Sequence, residues 1–205
     1  MTRIKICGIT RVEDGLVCAR LGADAIGLVF YPKSPRAVSI EQAQTITAAL
    51  PPFVTTVALF VNPSANEVDT VLRLVRPNIL QFHGHEPADF CRSFSMRYLK
   101  ALPVRAGEDL LQSAAHYGDA AGILLDAPTE AFGGSGEPFD WSLIPAEMAS
   151  RCVLAGGLTV GNVAAAIRQV RPWAVDLSSG VEVTKGIKDA NKIAAFIKEV
   201  RNAEL

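Results

Sequence analysis

The stretch of sequence that decides the fold is Arg3-Ile4-Lys5-Ile6-Cys7-Gly8, followed by the turn Ile9-Thr10. Side chains point to opposite faces of a strand with a period of two, so alternate residues of this segment face the same way. We expect the Cys7 thiol to be the last inward-facing group before Gly8 turns the chain out of the strand. Thr10 is placed to cap the helix that follows. The thiol would then lie at the rim of whatever this strand helps to build.

The rest of the chain repeats one unit, a short apolar strand followed by a segment with helical spacing. We predict eight strands, at 3–8, 25–30, 53–61, 79–82, 98–101, 122–125, 152–155 and 174–177. The predicted helices cover 12–21, 39–50, 64–75, 87–95, 107–117, 140–149, 160–170 and 188–203, with Ser39 and Ser64 counted as capping residues. Ser39 and Gln42 have the spacing of a capping box.

Strict alternation of strands and helices implies a parallel sheet with helical crossovers, either open or closed into a barrel. The number of units favours closure, and so do the polar and glycine-rich segments that repeatedly follow the strands. An open dinucleotide-binding sheet would need a Gly-rich turn where Cys7-Gly8-Ile9-Thr10 stands. We therefore predict an α/β protein, a single-domain (β/α)8 TIM barrel over residues 1–205, with no room for an inserted domain.

The charge balance argues against a general affinity for nucleic acid or membrane surfaces, because 20 basic residues are balanced by 21 acidic ones and the net charge is −1. An anionic ligand must therefore be held by local groups. The sequence has neither a signal-peptide pattern nor an apolar run of bilayer length, so we expect a cytoplasmic protein without a membrane partner. The cysteines lack metal-binding spacing and are expected to be free thiols: Cys7, Cys18, Cys91 and Cys152. Cys18 and Cys152 are expected in the core.

Cys7 and Asp126 are the candidates for acid–base chemistry. An apolar run delivers Asp126 to the end of the sixth predicted strand, although an isolated aspartate there more often stabilises its own turn. A strand-end cysteine is likewise more often a core residue. Together, a carboxyl and a thiol at one rim can give and take a proton, which is the minimum for an isomerisation. Nearby helix N-termini and the cation of Lys5 would shift the thiol toward thiolate.

The sequence also predicts where two basic side chains and two histidines lie. Lys5 would point into the barrel interior, where a lysine needs a counter-ion, and Asp176 is a candidate; a Schiff-base role is the competing use. Arg36 lies in a loop stiffened by two prolines and is suited to hold a carboxylate, unless it is a solvated surface residue. We expect His83 to line the pocket and His85 to be exposed. Their spacing is poor for a metal, and we predict no metal site.

Glycines and serines after the last two strands form a candidate phosphate site. Gly156 and Gly157 follow the seventh strand, and Ser178-Ser179-Gly180 follows the eighth. At these positions this fold often binds phosphate through backbone N–H groups. The segment Gly133-Gly134-Ser135-Gly136 would add a third edge.

These residues lie in a series of segments that run in order from residue 5 to residue 189 and so cover nearly the whole chain. The segments are Lys5-Ile6-Cys7-Gly8-Ile9-Thr10, Ser34-Pro35-Arg36, Phe60-Val61-Asn62, Gln81-Phe82-His83-Gly84, Leu125-Asp126, Gly133-Gly134-Ser135-Gly136, Leu154-Ala155-Gly156-Gly157-Leu158, Asn162-Val163, Asp176-Leu177-Ser178-Ser179-Gly180-Val181-Glu182 and Lys185-Gly186-Ile187-Lys188-Asp189. Together they resemble one family, phosphoribosylanthranilate isomerase of tryptophan biosynthesis.

The resemblance implies an Amadori rearrangement without a cofactor, converting N-(5-phosphoribosyl)anthranilate to 1-(2-carboxyphenylamino)-1-deoxyribulose 5-phosphate. In that family the cysteine that matches Cys7 is the general base and the aspartate that matches Asp126 is the general acid. Asp126 would protonate the sugar ring oxygen, Cys7 would remove the proton from C2, and Arg36 would hold the anthranilate carboxylate. The phosphate would be held by Gly156, Gly157, Ser179 and Gly180. The implied partner is a small phosphorylated molecule, and the chain would be a monomer or a homodimer.

The chain departs from the family's pattern at Phe82, where leucine is common, and in the loop from residue 127 to residue 132. Three alternatives remain open at this point. A histidine-pathway isomerase of the same fold would carry an aspartate where Cys7 stands. A Schiff-base aldolase would use Lys100 or Lys5. A barrel that binds phosphate without turnover is the third.

Overall fold

The computed structural model of the chain describes residues 1–128 and 139–203. Its barrel strands are β1 (Arg3–Cys7), β2 (Ala25–Val29), β3 (Thr55–Phe60), β4 (Ile79–Phe82), β5 (Tyr98–Pro103), β6 (Gly122–Asp126), β7 (Cys152–Leu154) and β8 (Ala174–Leu177). All pairings between them are parallel, in chain order, and β1 pairs with β8 to close the barrel. The predicted (β/α)8 TIM barrel is confirmed.

The helices follow the strands as predicted, although several are shorter. They are α1 (Val12–Leu21), α2 (Ile40–Ala49), α3 (Ala65–Leu74), α4 (Ala88–Arg92), α5 (Leu110–Ala115), α6 (Ala146–Ala149), α7 (Val163–Val170) and α8 (Ala190–Asn202). Ser39 and Ser64 each form a full capping box at the start of α2 and α3. Within the described residues, no helix combines the length and apolar character needed to cross a membrane.

Two local predictions are wrong. The segment predicted as one helix over 140–149 is a 3₁₀ turn, Trp141–Leu143, followed by the single turn of α6. Pro145 separates them because its ring removes a backbone donor and does not fit the interior of a helix. Thr10 does not cap α1, because the helix begins one residue too late for it, and its hydroxyl instead donates a hydrogen bond to the carbonyl oxygen of Gly186. Arg11 occupies the N-cap position without a side-chain cap.

A short antiparallel ribbon after β8 was not predicted. It consists of β9 (Glu182–Thr184) and β10 (Ile187–Lys188) and lies outside the barrel sheet. Gly186 turns the chain between the two strands at a φ of 84°, a conformation that favours glycine. The ribbon has no continuous apolar run, because polar residues and Gly186 interrupt it, and it therefore gives no strand signal of the usual kind.

The core lies mainly between the strands and the helices. Ile4 and Ile6 of β1 are fully buried in the same cluster as Ile193 and Phe196 of α8. The alternating pattern of β1 therefore places its isoleucines against the helical layer and its other side chains toward the barrel interior. A second, smaller cluster of buried side chains fills part of that interior: Leu99, Ala101, Leu124, Val153, Ala155 and Ala174.

Lys100 of β5 belongs to a buried ion pair. Its ammonium donates to Glu86 Oε2 at 2.7 Å and to the Gly84 carbonyl oxygen at 2.6 Å. Both charged side chains are 2% exposed. Glu86 also accepts a hydrogen bond from the backbone N–H of Asn62 at 2.7 Å, so the pair joins β5 to the loops after β3 and β4. This structural role argues against Lys100 as a Schiff-base lysine.

Replacing Glu86 by glutamine (Glu86→Gln) tests this role, since it removes the charge that compensates Lys100 at nearly constant size. We expect the free energy of unfolding to fall by about 3–5 kcal/mol, because a buried ammonium is left without a counter-ion. Urea unfolding measures the change. The control Glu108→Gln breaks the exposed Arg105–Glu108 pair and should cost less than about 1 kcal/mol. Equal effects of the two variants would contradict the structural role of Glu86.

Candidate active site

A cavity opens at the carboxyl ends of the strands, the end of the barrel where enzymes of this fold carry their active sites. It brings together side chains from β1, β6 and β8 and from the loops that follow most strands. The predicted site residues that line it are Cys7, Arg36, His83, Asp126, Gly156, Gly157 and Ser179. The sequence therefore identified residues that are far apart along the chain but share one cavity.

Cys7 stands at the end of β1, and its neighbour on β2 makes room for it. A methyl group at Gly27 would lie 2.6 Å from the Cys7 sulfur, so a larger residue at that position would displace the thiol. Cys7 is 7% exposed. The need for a small residue at position 27 was missed, because the register that pairs Cys7 with Gly27 is set by the barrel and not by nearby sequence.

Lys5 and Asp176 form the ion pair that the sequence suggested. The two residues are register partners on β1 and β8, and Lys5 Nζ lies 2.9 Å from Asp176 Oδ2. Burial disfavours the ammonium, but Asp176 and Cys7 together raise the pKa of Lys5 above its ordinary value. The other carboxylate oxygen, Asp176 Oδ1, is buried and has no hydrogen-bond partner among the described residues. Asp176 also lines the cavity.

The Cys7 thiol is protonated at neutral pH in this arrangement. Burial raises the pKa of Cys7 above its ordinary value of 9.0, and the nearby ammonium of Lys5 offsets only part of that effect. The expectation of a thiolate is therefore wrong for the ligand-free protein. The physical reason is that burial and the Asp176 carboxylate disfavour the anion more than the ammonium groups of Lys5 and Lys188 stabilise it.

Asp126 ends β6 with both carboxylate oxygens engaged. Oδ1 accepts the backbone N–H of Ala127 at 2.8 Å, and Oδ2 lies 3.2 Å from His83 Nε2. The amide nitrogen of Gln81 lies 3.0 Å from His83 Nδ1. When that amide donates to Nδ1, the imidazole carries its proton on Nε2 and donates it toward Asp126. His83 thus contacts the candidate acid directly.

The loop after β7 approaches Asp126 closely. Gly156 has a φ of 76°, and a methyl group there would lie 2.6 Å from the Ala127 nitrogen and 3.0 Å from Asp126 Oδ1. Only glycine allows this approach. Gly157 also has a positive φ, and its carbonyl oxygen accepts a hydrogen bond from Asn162 at 2.9 Å. The backbone of this loop is therefore held against the cavity.

Gly180 has a packing role that was not predicted. It is absent from the cavity lining, whereas Ser179 belongs to it. A methyl group at Gly180 would collide with the carbonyl oxygen of Leu158, so the glycine lets the loops after β7 and β8 touch. The segment Gly133-Gly134-Ser135-Gly136 lies outside the described residues. His85 is exposed, as predicted.

Arg36 is held by a partner that the sequence did not suggest. Its Nε and Nη2 atoms donate to Glu182 Oε1 and Oε2 at 2.7 and 2.8 Å. The hydrogen bond to Glu182 raises the pKa of Arg36. Although burial disfavours a carboxylate, Arg36 and Lys188 together hold the pKa of Glu182 below its ordinary value. The two partners are 146 positions apart, so no local pattern could have connected them.

Within the ranges 1–128 and 139–203, no three His, Cys, Asp or Glu side chains are grouped in a way that could hold a metal ion. The cavity instead combines a thiol, a carboxyl, a guanidinium and exposed loop backbone. These groups can take a proton, give a proton and hold two anionic groups.

Known proteins are similar to this chain over nearly its whole length. A family model described as "N-(5'phosphoribosyl)anthranilate (PRA) isomerase" matches residues 4–199. N-(5'-phosphoribosyl)anthranilate isomerase of Azotobacter vinelandii is 59% identical over 203 residues, which are 98% of each chain. The enzyme of the same name from Pseudomonas aeruginosa is 57% identical over 98% of this chain and 95% of its own.

Solved structures are similar over the same length. The phosphoribosyl anthranilate isomerase of Thermotoga maritima superposes with a TM-score of 0.91 at 46% identity, covering 98% of this chain and 100% of its own. A phosphoribosyl anthranilate isomerase in complex with reduced 1-(o-carboxyphenylamino)-1-deoxyribulose 5-phosphate superposes with a TM-score of 0.88 at 43% identity, with the same coverage.

The protonation state of Cys7 can be tested by alkylation of the ligand-free protein with iodoacetamide. Since burial raises the pKa of Cys7 above 9.0, we expect slow modification at pH 7 and a rate that rises with a midpoint above pH 9. Peptide mass spectrometry resolves each thiol, and Cys18, whose pKa burial raises to about 12, is the internal control. A Cys7 rate that is already maximal at pH 8 would contradict the protonated thiol.

Proposed function

The chain belongs to the N-(5'-phosphoribosyl)anthranilate isomerase family of tryptophan biosynthesis, and from this premise we propose that Cys7 is its general base and Asp126 its general acid. The observation that carries the proposal is that the thiol and the carboxyl line one cavity at the carboxyl end of the barrel. No other cysteine lines that cavity among the described residues, where Cys18, Cys91 and Cys152 are all buried.

In the first step Asp126, in its protonated form, transfers a proton to the ring oxygen of the ribose. The bond between C1 and the ring oxygen breaks, and the nitrogen lone pair forms a C1–N double bond, so the product is an open-chain iminium. His83 supports this step because its Nε2 lies 3.2 Å from Asp126 Oδ2, where a donated hydrogen bond stabilises the carboxylate left behind.

In the second step Cys7, as thiolate, removes the proton from C2. The electron pair of the C2–H bond neutralises the iminium and gives an enolamine, which tautomerises to the ketone. The ammonium of Lys5 stabilises the thiolate electrostatically. The positive charge of the iminium, which forms in the first step, stabilises it further at the moment when the proton is removed. In the reacting form Asp126 is protonated and Cys7 is a thiolate. This form holds the same number of protons as a form with a neutral Cys7 thiol and an Asp126 carboxylate.

The ends of the substrate would be held by anion-binding groups. Arg36 would bind the anthranilate carboxylate as a fork, since a guanidinium matches a carboxylate in a bidentate geometry. Backbone N–H groups of Gly156, Gly157, Ser179 and Gly180 would bind the phosphate, and Gly180 also keeps the two loops in contact. The related structure in complex with the reduced product contains one molecule that carries both a carboxylate and a phosphate, which supports a single site for both groups.

We also propose that residues 1–205 form one catalytic domain, active without a cofactor as a monomer or as a homodimer. The barrel strands run from residue 3 to residue 177 and close on each other, so the described parts of the chain contain one sheet of this kind.

The acid–base pair is tested by Cys7→Ser and Asp126→Asn. We expect kcat to fall by about 10²–10⁴-fold in each variant, because each loses a group that moves a proton in the transition state. Loss of substrate fluorescence measures turnover, and calorimetric titration of the reduced product measures affinity, which should stay within about threefold of the wild type.

The matched control is Cys18→Ala, which removes a fully buried thiol of α1. It should leave kcat unchanged at a temperature where the variant is folded. Normal turnover by Cys7→Ser would contradict the role of Cys7 as the base and indicate that it is a core residue.

A further inference from the structure

Glu182 lies behind Arg36 as seen from the cavity. Arg36 lines the cavity, whereas Glu182 is absent from its lining and is 8% exposed. The carboxylate of Glu182 occupies one edge of the guanidinium, formed by Nε and Nη2, in a bidentate pair of 2.7 and 2.8 Å. A guanidinium has five N–H donors, and no other side chain among residues 1–128 and 139–203 bonds to this one, so the edge formed by Nη1 and Nη2 is left for a second carboxylate.

Glu182 is itself held by the ribbon of β9 and β10. Its Oε1 accepts a hydrogen bond from Lys188 Nζ at 2.9 Å and another from the backbone N–H of Gly186 at 3.2 Å. Lys188 also donates to the carbonyl oxygen and the hydroxyl of Ser178 at 3.0 and 3.2 Å. Because Lys188 has a fully buried ammonium, its pairing with Glu182 is costly to break.

The charges of Lys188, Glu182 and Arg36 alternate in sign and leave one net positive charge. Lys188 and Arg36 are cations and Glu182 is the anion between them. One further carboxylate on the free edge of Arg36 would neutralise the group and complete the alternation. Without Glu182, two cations would face each other and Arg36 would lose the contact that fixes its rotamer.

We propose that Glu182, backed by Lys188, is a positioning residue that orients Arg36 for the carboxylate of the substrate and so sets the preference for a ring that carries an ortho-carboxylate. The inference rests on the proposed function, in which Arg36 binds that group. Glu182 touches no reacting atom. It acts by holding the guanidinium in the orientation that a planar carboxylate requires.

The test compares two ligands in calorimetric titrations. One is the reduced product, which carries the ortho-carboxylate, and the other is the same molecule with a plain phenyl ring. In the wild type we expect the plain ligand to bind about 10–100-fold more weakly, the range for losing hydrogen bonds to a charged group. In Glu182→Gln this ratio should fall to about threefold or less, with the affinity for the plain ligand within about twofold of the wild type.

A second variant keeps the experiment decisive if Glu182→Gln folds poorly, since that variant leaves the Lys188 ammonium without its carboxylate. The double variant Glu182→Gln/Lys188→Met removes both charges of the buried pair, so the net charge around Arg36 stays the same. A reduced ratio in this variant therefore reports the orientation of Arg36 and not the field around it. Glu147→Gln, at an exposed residue of α6, is the control for loss of a carboxylate and should keep the wild-type ratio.

The outcomes distinguish the role of Glu182 from the role of Arg36. A collapsed ratio with unchanged binding of the plain ligand supports the role of Glu182. A wild-type ratio in both Glu182 variants overturns that role and leaves Arg36 as the carboxylate ligand. Equal weakening of both ligands also overturns it, since it indicates a purely structural residue. A ratio near one in the wild type itself overturns both this inference and the proposed role of Arg36.

Discussion

The register between β1 and β8 is the constraint on which the site depends. It closes the barrel and places Lys5 directly beside Asp176, so that their side chains form a buried ion pair of 2.9 Å. A shift of one residue would turn every side chain of β1 to the other face, which would bury Lys5 against the helices and remove Cys7 from the cavity. The ion pair therefore disfavours any alternative register, because an unpaired charge in the interior is costly.

Burial of the cavity also determines the protonation state of Cys7 in the ligand-free protein. It keeps the Cys7 thiol protonated in the ligand-free protein, even with the Lys5 ammonium nearby. As the general base that we propose, Cys7 would act when positive charge develops beside it, as it would in a reaction that passes through a cationic intermediate. Glycine at positions 27 and 156 supplies the space that both the thiol and the Asp126 carboxylate need.

The ribbon of β9 and β10 links the two regions of the cavity that we propose to bind the anionic groups of the substrate. Lys188 reaches Ser178, next to the loop proposed for the phosphate, and Glu182, behind the arginine proposed for the carboxylate. Both ends of a substrate would then be held by one connected set of buried hydrogen bonds and charges. Such networks are rigid when every member is paired, and a rigid site holds its ligand in one orientation.

Much of this structure was already determined by the order of residues along the chain. The period of two in β1, the capping serines of α2 and α3, and the alternation of strands with helices predicted the barrel, because these signals depend on neighbours within a few positions. Cys7 and Asp126 could be placed at one rim because all strands of a parallel barrel end on the same side. Lys5 and Asp176 could be paired because both face inward on strands that the closed barrel makes adjacent.

Tertiary structure alone decided the rest. The pairing of Arg36 with Glu182, the need for glycine at position 27 and the raised pKa of Cys7 all arise between segments that are distant in sequence. The partner of the Thr10 hydroxyl, the carbonyl oxygen of Gly186, could not be predicted for the same reason, since it lies 176 positions away. Local periodicity is a property of the chain itself, whereas burial and ion pairing exist only after the barrel has closed.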